Sequence, residues 1–224
     1  SDTEVLLNAV EVWGLNTVLD RVNGMFAFAI WDHREKQLTL VRDPMGKKPL
    51  YYGFNSGLFF FASELKAIKA HPEFRPSIDS NMLTFLLRHS YIPAPHCIYK
   101  GMHKLMPGTA LTLTRENVQD RFLPRPRPYW DIARVAARGI STPLQGSDRD
   151  MEKAVSHALE RAVSSRMIAD VPLGAFLSGG IDSSLIAALM QKNSSLPVRT
   201  FTVGFESTAY DEAGAAAKVA DHLG

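Results

Sequence analysis

Cysteine is almost missing from these 224 residues: Cys97 stands alone. One thiol excludes an internal disulfide framework and any multi-cysteine zinc or iron–sulfur site. The seven histidines, at 33, 71, 89, 96, 103, 157 and 222, include no close pair with metal-ligand spacing, so no zinc site is expected. No stretch approaches the roughly 18–20 apolar residues of a membrane span, and the N-terminus lacks the basic-then-apolar pattern of a signal peptide. A reducing, cytoplasmic setting is the expectation. An excess of one charge is also lacking, because 25 basic residues face 23 acidic ones and the net charge is +2. Nothing in that balance points to a nucleic-acid or membrane partner. What remains is ordinary globular material, 46% apolar and 21% charged with 15 Gly and 13 Pro, which rules out collagen-like, disordered and coiled-coil chains. The length allows at most two ordinary domains. Because the chain opens on Ser1 and closes at Leu223-Gly224 within an alanine-rich pattern, a fragment is expected.

Ser1-Asp2-Thr3-Glu4 supplies capping side chains ahead of Val5, Leu6, Val10 and Trp13, which predicts a helix to about Trp13. After Asn23-Gly24 the pattern turns to short apolar runs at 25–31, 38–41, 50–54 and 58–62, separated by turn-forming residues. These predict an antiparallel meander. Both alternate sets in Met25 to Trp31 are apolar, so that strand is expected to be covered on both faces. Helices are predicted from Ser63 and from Asp79, and a strand at Ala110 to Thr114. Pro124, Pro126 and Pro128 then stop regular structure, and a domain boundary is placed between Tyr129 and Ser147, with residues 131–146 as linker.

From Ser147 the pattern differs. Ser147-Asp148 caps a helix carrying Met151, Val155, Ala158, Leu159, Ala162 and Val163 at helical spacing. A buried strand at Val171 to Leu177, a helix at Ser183 to Gln191, a strand at Val198 to Phe205 and a helix at Asp211 to Leu223 follow. This alternation predicts a parallel sheet with right-handed crossovers.

The stretch that carries chemistry is Phe176-Leu177-Ser178-Gly179-Gly180-Ile181-Asp182-Ser183-Ser184, where an apolar strand is expected to turn into a helix. Two glycines allow close backbone approach. Three hydroxyls, the backbone amides and the positive end of the helix can all face one anion. A Walker A loop is the obvious rival, and Gly174 to Gly179 has its four-residue gap. It fails because Gly180-Ile181 stands where Lys-Ser/Thr is required.

A Ser-Gly-Gly-x-Asp-Ser sequence in this context resembles the pyrophosphate loop of the N-type ATP pyrophosphatases, which cleave ATP between its α and β phosphates. Upstream, Asn23-Gly24-Met25-Phe26-Ala27-Phe28-Ala29, Arg42-Asp43-x-x-Gly46-x-x-Pro49-Leu50-Tyr51-Tyr52 and Ala62-Ser63-Glu64-Leu65-Lys66-Ala67 resemble the later half of a class II glutamine amidotransferase domain. In this order, the motifs together resemble the glutamine-hydrolysing asparagine synthetase family. The resemblance implies an incomplete α+β layered antiparallel part of N-terminal-nucleophile glutaminase type over 1–130. An incomplete α/β parallel-sheet ATP pyrophosphatase domain over 147–224 would follow the linker.

It further implies an ATP-dependent ligase: ammonia from glutamine reaches a second site, where aspartate is activated as β-aspartyl-AMP and becomes asparagine. Ser178, Gly179, Gly180, Asp182, Ser183 and Ser184 would hold pyrophosphate, Phe176 and Val203 would contact the nucleotide, and Asp2 would grip the glutamine α-amino group. From the residues alone, Asp2 reads equally well as a helix cap, and Phe176 and Val203 read as core. The implied cofactors are ATP and Mg²⁺, with the metal ligands unassigned; Glu206, Asp211 and Glu212 are acids placed to face nucleotide or magnesium, although helix capping is the plainer use of Asp211. The implied partners are glutamine, aspartate and ATP, together with a homodimer, and no nucleic acid or membrane.

The family's glutaminase nucleophile is an N-terminal cysteine, which this chain does not contain, and neither Ser1 nor Cys97 substitutes for it. No catalytic residue is therefore assigned. Two other readings stay open: a sister amidotransferase acting on another carboxylate, as in cell-surface sugar amidation or β-lactam synthesis, and a truncated nucleotide-binding fragment without catalysis.

Overall fold

The computed structural model describes residues 1–207 and 211–224 and divides into two compact units, Ser1–Ser141 and Thr142–Gly224. The first unit contains, in order, α1 (Asp2–Trp13), α2 (Leu15–Arg21), β1 (Ala27–Asp32), β2 (Gln37–Arg42), β3 (Tyr51–Asn55), β4 (Leu58–Ala62), α3 (Leu65–Lys69), α4 (Ser80–His89), β5 (Met102–Lys104), β6 (Thr109–Leu113), α5 (Arg115–Gln119), β7 (Arg127–Pro128) and α6 (Ile132–Ser141).

Local chemistry fixes the hairpins. At the β1–β2 turn Asp32 Oδ1 accepts the N–H groups of Arg34 and Glu35 at 2.8 and 3.0 Å. At the β3–β4 turn Ser56 and Gly57 both take positive φ, 50° and 84°, which gives the two-residue connection the twist of its flanking strands.

The four strands do not run on as a meander, as their spacing predicted. The two hairpins enter different sheets, ordered β1-β2-β6-β7 and β4-β3-β5, and every pairing in them is antiparallel. The hydrophobic effect explains the split, because it lets two apolar sheet faces meet. Leu40, Leu111 and Leu113 from the first sheet pack with Tyr52 from the second, around Leu50 and Leu105. Val41 and Ala110 point the other way and pack with Leu19 of α2. On the far side of the second sheet, Phe60 and Met102 pack with Ile68 of α3, Phe74 and Cys97. Coverage on both faces therefore belongs to β2, where Leu40 and Val41 are both fully buried. It was expected of β1, which is an edge strand and leaves Trp31 exposed.

A helix, α6, stands in the stretch expected as linker, and its apolar Ile132, Val135 and Ile140 are exposed.

The second unit contains α7 (Asp148–Ser164), β8 (Gly174–Phe176), α8 (Ile181–Lys192), β9 (Arg199–Phe201) and α9 (Ala213–Leu223). Ser147 caps α7 in a reciprocal box with Asp150. The strands β8 and β9 pair in parallel, with Phe176 opposite Phe201. They are shorter than the apolar runs suggested, and the buried strand expected at Val171 to Leu177 is mostly exposed at its start, since Val171 and Leu173 lie outside the ladder. Apolar runs signal burial, whereas strand length depends on a paired neighbour, and β9 offers only three residues. Leu177, Ala187 and Ala216 make one small core, and Val163, Leu189 and Met190 another.

Candidate functional site

In the second unit, the segment after β8 is tied to the first turn of α8. The Ser183 hydroxyl lies 2.9 Å from that of Ser178 and accepts the Ser178 N–H at 3.2 Å. Two hydroxyls, from Ser183 and Ser184, donate to the Gly180 carbonyl at 3.2 and 2.7 Å. Gly179 sits at φ +76°, and a Cβ there would lie 2.7 Å from Ala215 Cβ and 2.9 Å from Ala216 N. Only glycine fits, for conformational and steric reasons together. Gly180 is the N-cap of the 12-residue α8 and has no side-chain cap. The first-turn amides of a helix lack intrahelical acceptors, so the loop and helix start form a concentration of donors with positive dipole potential.

A cavity of about 520 Å³ adjoins this turn and includes Phe176, Asp182, Ser183 and Arg166 in its lining. Phe176, at the end of β8, is 81% exposed, and Val203, just beyond the end of β9, is exposed as well. Neither residue is packed in a core of the described unit. The ends of the strands are joined by Leu177 N–H to the Phe201 carbonyl at 2.9 Å and by the Thr202 hydroxyl to the Leu177 carbonyl at 2.7 Å. Val203 is not part of the cavity that holds Phe176. Asp211 Oδ1 accepts the Ala213 N–H at 3.2 Å at the start of α9. Among the described residues no three His, Cys, Asp or Glu side chains converge to hold a metal.

In the first unit, a second cavity, of about 710 Å³, is lined by Asp2, Asn23, Met25, Lys48, Ser63 and Glu64, among others. Each of the three upstream motifs thus sends residues to the cavity where Asp2 lies. The cap of α1 is Ser1, whose hydroxyl accepts the Glu4 N–H, with Glu4 completing a capping box. Asp2 sits one position later, and its Oδ1 accepts the Thr3 N–H at 2.8 Å. The capping alternative for Asp2 is accordingly taken by its neighbour. Sequence reasoning missed Lys48 and Glu64 as lining residues; their only signal was membership of motifs from separate parts of the chain.

Cys97 is buried, with its thiol pKa raised mainly by that burial, which makes it a poor nucleophile. No described helix is long and apolar enough to cross a membrane.

Residues 1–130 match the family described as glutamine amidotransferase domain, and residues 154–224 match the family described as asparagine synthase. Asparagine synthetase [glutamine-hydrolyzing] 3 of Bacillus subtilis is 35% identical over 212 residues, covering 92% of this chain and 32% of that protein. A putative asparagine synthetase [glutamine-hydrolyzing] of Mycobacterium tuberculosis is 35% identical over 226 residues, 100% of this chain and 33% of that protein. Amidase chyE of Penicillium rubens is 30% identical over 241 residues, 100% of this chain and 34% of that protein. The chain spans about a third of the length of the curated relatives it matches. The motifs and the family match over residues 1–130 agree: the chain belongs to the glutamine amidotransferase domain family, and its residues 154–224 match the asparagine synthase family.

Proposed function

We propose that this chain is a working stretch of a glutamine-dependent asparagine synthetase. Residues 1–130 would be part of an N-terminal-nucleophile glutaminase, 131–146 the connection, and 147–224 the start of an ATP pyrophosphatase domain. The observation that carries the reading is the Ser178–Ser184 turn, where hydroxyls, a glycine at positive φ and an uncapped helix start gather at the end of a parallel strand.

In this reading the chemistry follows from charge. Asp2 holds the glutamine α-ammonium through a charge-assisted hydrogen bond. The loop amides and hydroxyls take the β- and γ-phosphate oxygens of ATP as the aspartate β-carboxylate attacks the α-phosphorus. Pyrophosphate leaves against helix-start amides already in place, which need little reorganisation, while the Ser183 and Ser184 hydroxyls turn to it from the Gly180 carbonyl. Ammonia then displaces AMP to give asparagine. Phe176 and Val203 offer apolar surface to the base. Mg²⁺ enters as a companion of the ATP phosphates, where it would share their charge. A cytoplasmic homodimer belongs to the same reading, and fractionation and light scattering test it.

A second reading has the same loop activate a different carboxylate; one relative similar over the whole of this chain bears the name of an amidase and not that of an asparagine synthetase. The deciding experiment measures AMP and pyrophosphate release from Mg-ATP by the full-length enzyme, with aspartate or other acids and with glutamine or ammonium. Aspartate-dependent release with asparagine formation is expected, and Asp182→Ala is expected to abolish it while sparing glutamine hydrolysis. Release with another acid alone selects the second reading, and no release with any acid overturns both.

A further inference from the structure

The segment between β2 and β3 is gripped from two sides by adjacent side chains. Asp43 is 1% exposed. Its Oδ1 accepts the N–H groups of Met45 and Lys47 at 3.1 and 2.9 Å, and its Oδ2 accepts that of Lys48 at 2.8 Å. The Arg42 guanidinium donates from Nε to the Lys48 carbonyl at 2.8 Å and from Nη2 to the Gly46 carbonyl at 2.7 Å. Its Nη1 donates to the Leu105 carbonyl at 2.6 Å, which anchors the clamp to the core.

Lys48 is thus fixed through both its N–H and its C=O, and it stands with Pro49 in the wall of the Asp2 cavity. Neither Arg42 nor Asp43 lines that cavity. A buried carboxylate with three charge-assisted bonds and a guanidinium with three carbonyl acceptors form a stiff support, and what they support is, among the described residues, the one cationic residue in the cavity lining, opposite in sign to Asp2 and Glu64.

We propose that Asp43, together with Arg42, is the positioning residue of the glutamine-side cavity, holding Lys48 and Pro49 where they shape the substrate wall. The proposal rests on reading that cavity as the glutamine site. Displacing Lys48 changes the shape and charge of the wall before chemistry begins, so the loss falls on ground-state binding.

The test uses the full-length enzyme. In Asp43→Asn the remaining oxygen keeps the Met45 and Lys47 bonds, while the new NH₂ faces the Lys48 N–H and releases it. A second variant, Gly46→Ala, leaves Asp43 intact but pushes on the clamp: at φ +62° its Cβ would lie 2.8 Å from Pro107 Cγ and 3.1 Å from the Arg42 guanidinium. Both variants are expected to raise the glutamine KM about tenfold with kcat within about twofold, to leave ammonium-supported synthesis unchanged, and to speed hydrogen exchange across 44–49. An unmoved glutamine KM, or an equal loss of glutamine- and ammonium-supported activity, overturns the proposal. Asp2→Asn separates the two claims. If it raises KM while Asp43→Asn does not, only the clamp fails; if it too leaves KM unmoved, the cavity assignment fails with it.

Discussion

The Ser178 amide donates to the Ser183 hydroxyl, five residues ahead and on the first turn of α8, at 3.2 Å. The turn is therefore closed by its own side chain, and the Ser178 hydroxyl is held in the same contact at 2.9 Å. A loop arranged before its ligand arrives loses less entropy on binding.

Ser183→Ala removes this closure together with the hydroxyl bond to the Gly180 carbonyl, and so loosens the loop amides. Pyrophosphate release by the full-length enzyme is expected to fall about a hundredfold, the scale of losing one preorganised donor. Glutamine hydrolysis, measured as glutamate release, is expected to stay within about twofold. Equal loss of both would mean that the turn has no separate role.

Gly179→Ala meets two obstacles, the positive φ and the backbone of α9 at Ala215 and Ala216. Backbone strain of this kind costs about 1–3 kcal/mol, and the contact at 2.7 Å adds to it. Thermal denaturation should show a lowered midpoint, with Gly180→Ala, whose nearest contact is 3.4 Å away, affected less.

Tyr129 donates its hydroxyl to the Arg42 carbonyl at 2.6 Å, and burial first, then the Asp43 carboxylate, push its pKa well above the ordinary 10.0. The folded form resists deprotonation that the unfolded chain undergoes near pH 10. Its contribution is full below that pH and is lost as the pH rises toward the folded pKa. Tyr129→Phe should cost about 1 kcal/mol at neutral pH and should flatten the alkaline decline, which urea titrations at pH 8 and above would read.

His103 lies against the Tyr52 ring at 5.6 Å; burial, and then the neighbouring His96, lower its pKa below the ordinary 6.5. The folded protein favours neutral imidazole, so the unfolded chain binds the extra proton first. Stability is expected to be full above pH 6.5 and to be lost as the pH falls through that value. His103→Asn should reduce the slope between pH 7 and 5 in denaturant midpoints, and an unchanged slope would remove His103 as its source.

Elements with local causes were legible without coordinates. The start of α1 follows from Ser1 and Glu4, that of α7 from Ser147 and Asp150, and the turn into α8 from Gly179 and Gly180, because capping and turn chemistry act within a few residues. The same locality found the first four strands but joined them into one meander, since hairpin signals do not say which sheet a hairpin joins. It also overextended β8, whose length is set by its partner β9.

By itself, then, the sequence determined the local grammar: helix starts, hairpin turns and the Ser178–Ser184 loop, whose residues are contiguous. Only the tertiary structure decided that Asp2, Lys48 and Glu64 share one cavity and that Arg42 and Asp43 support its wall. Those groups are distant along the chain and meet because two sheets bury their apolar faces against each other, an effect that is non-directional and leaves no short motif behind.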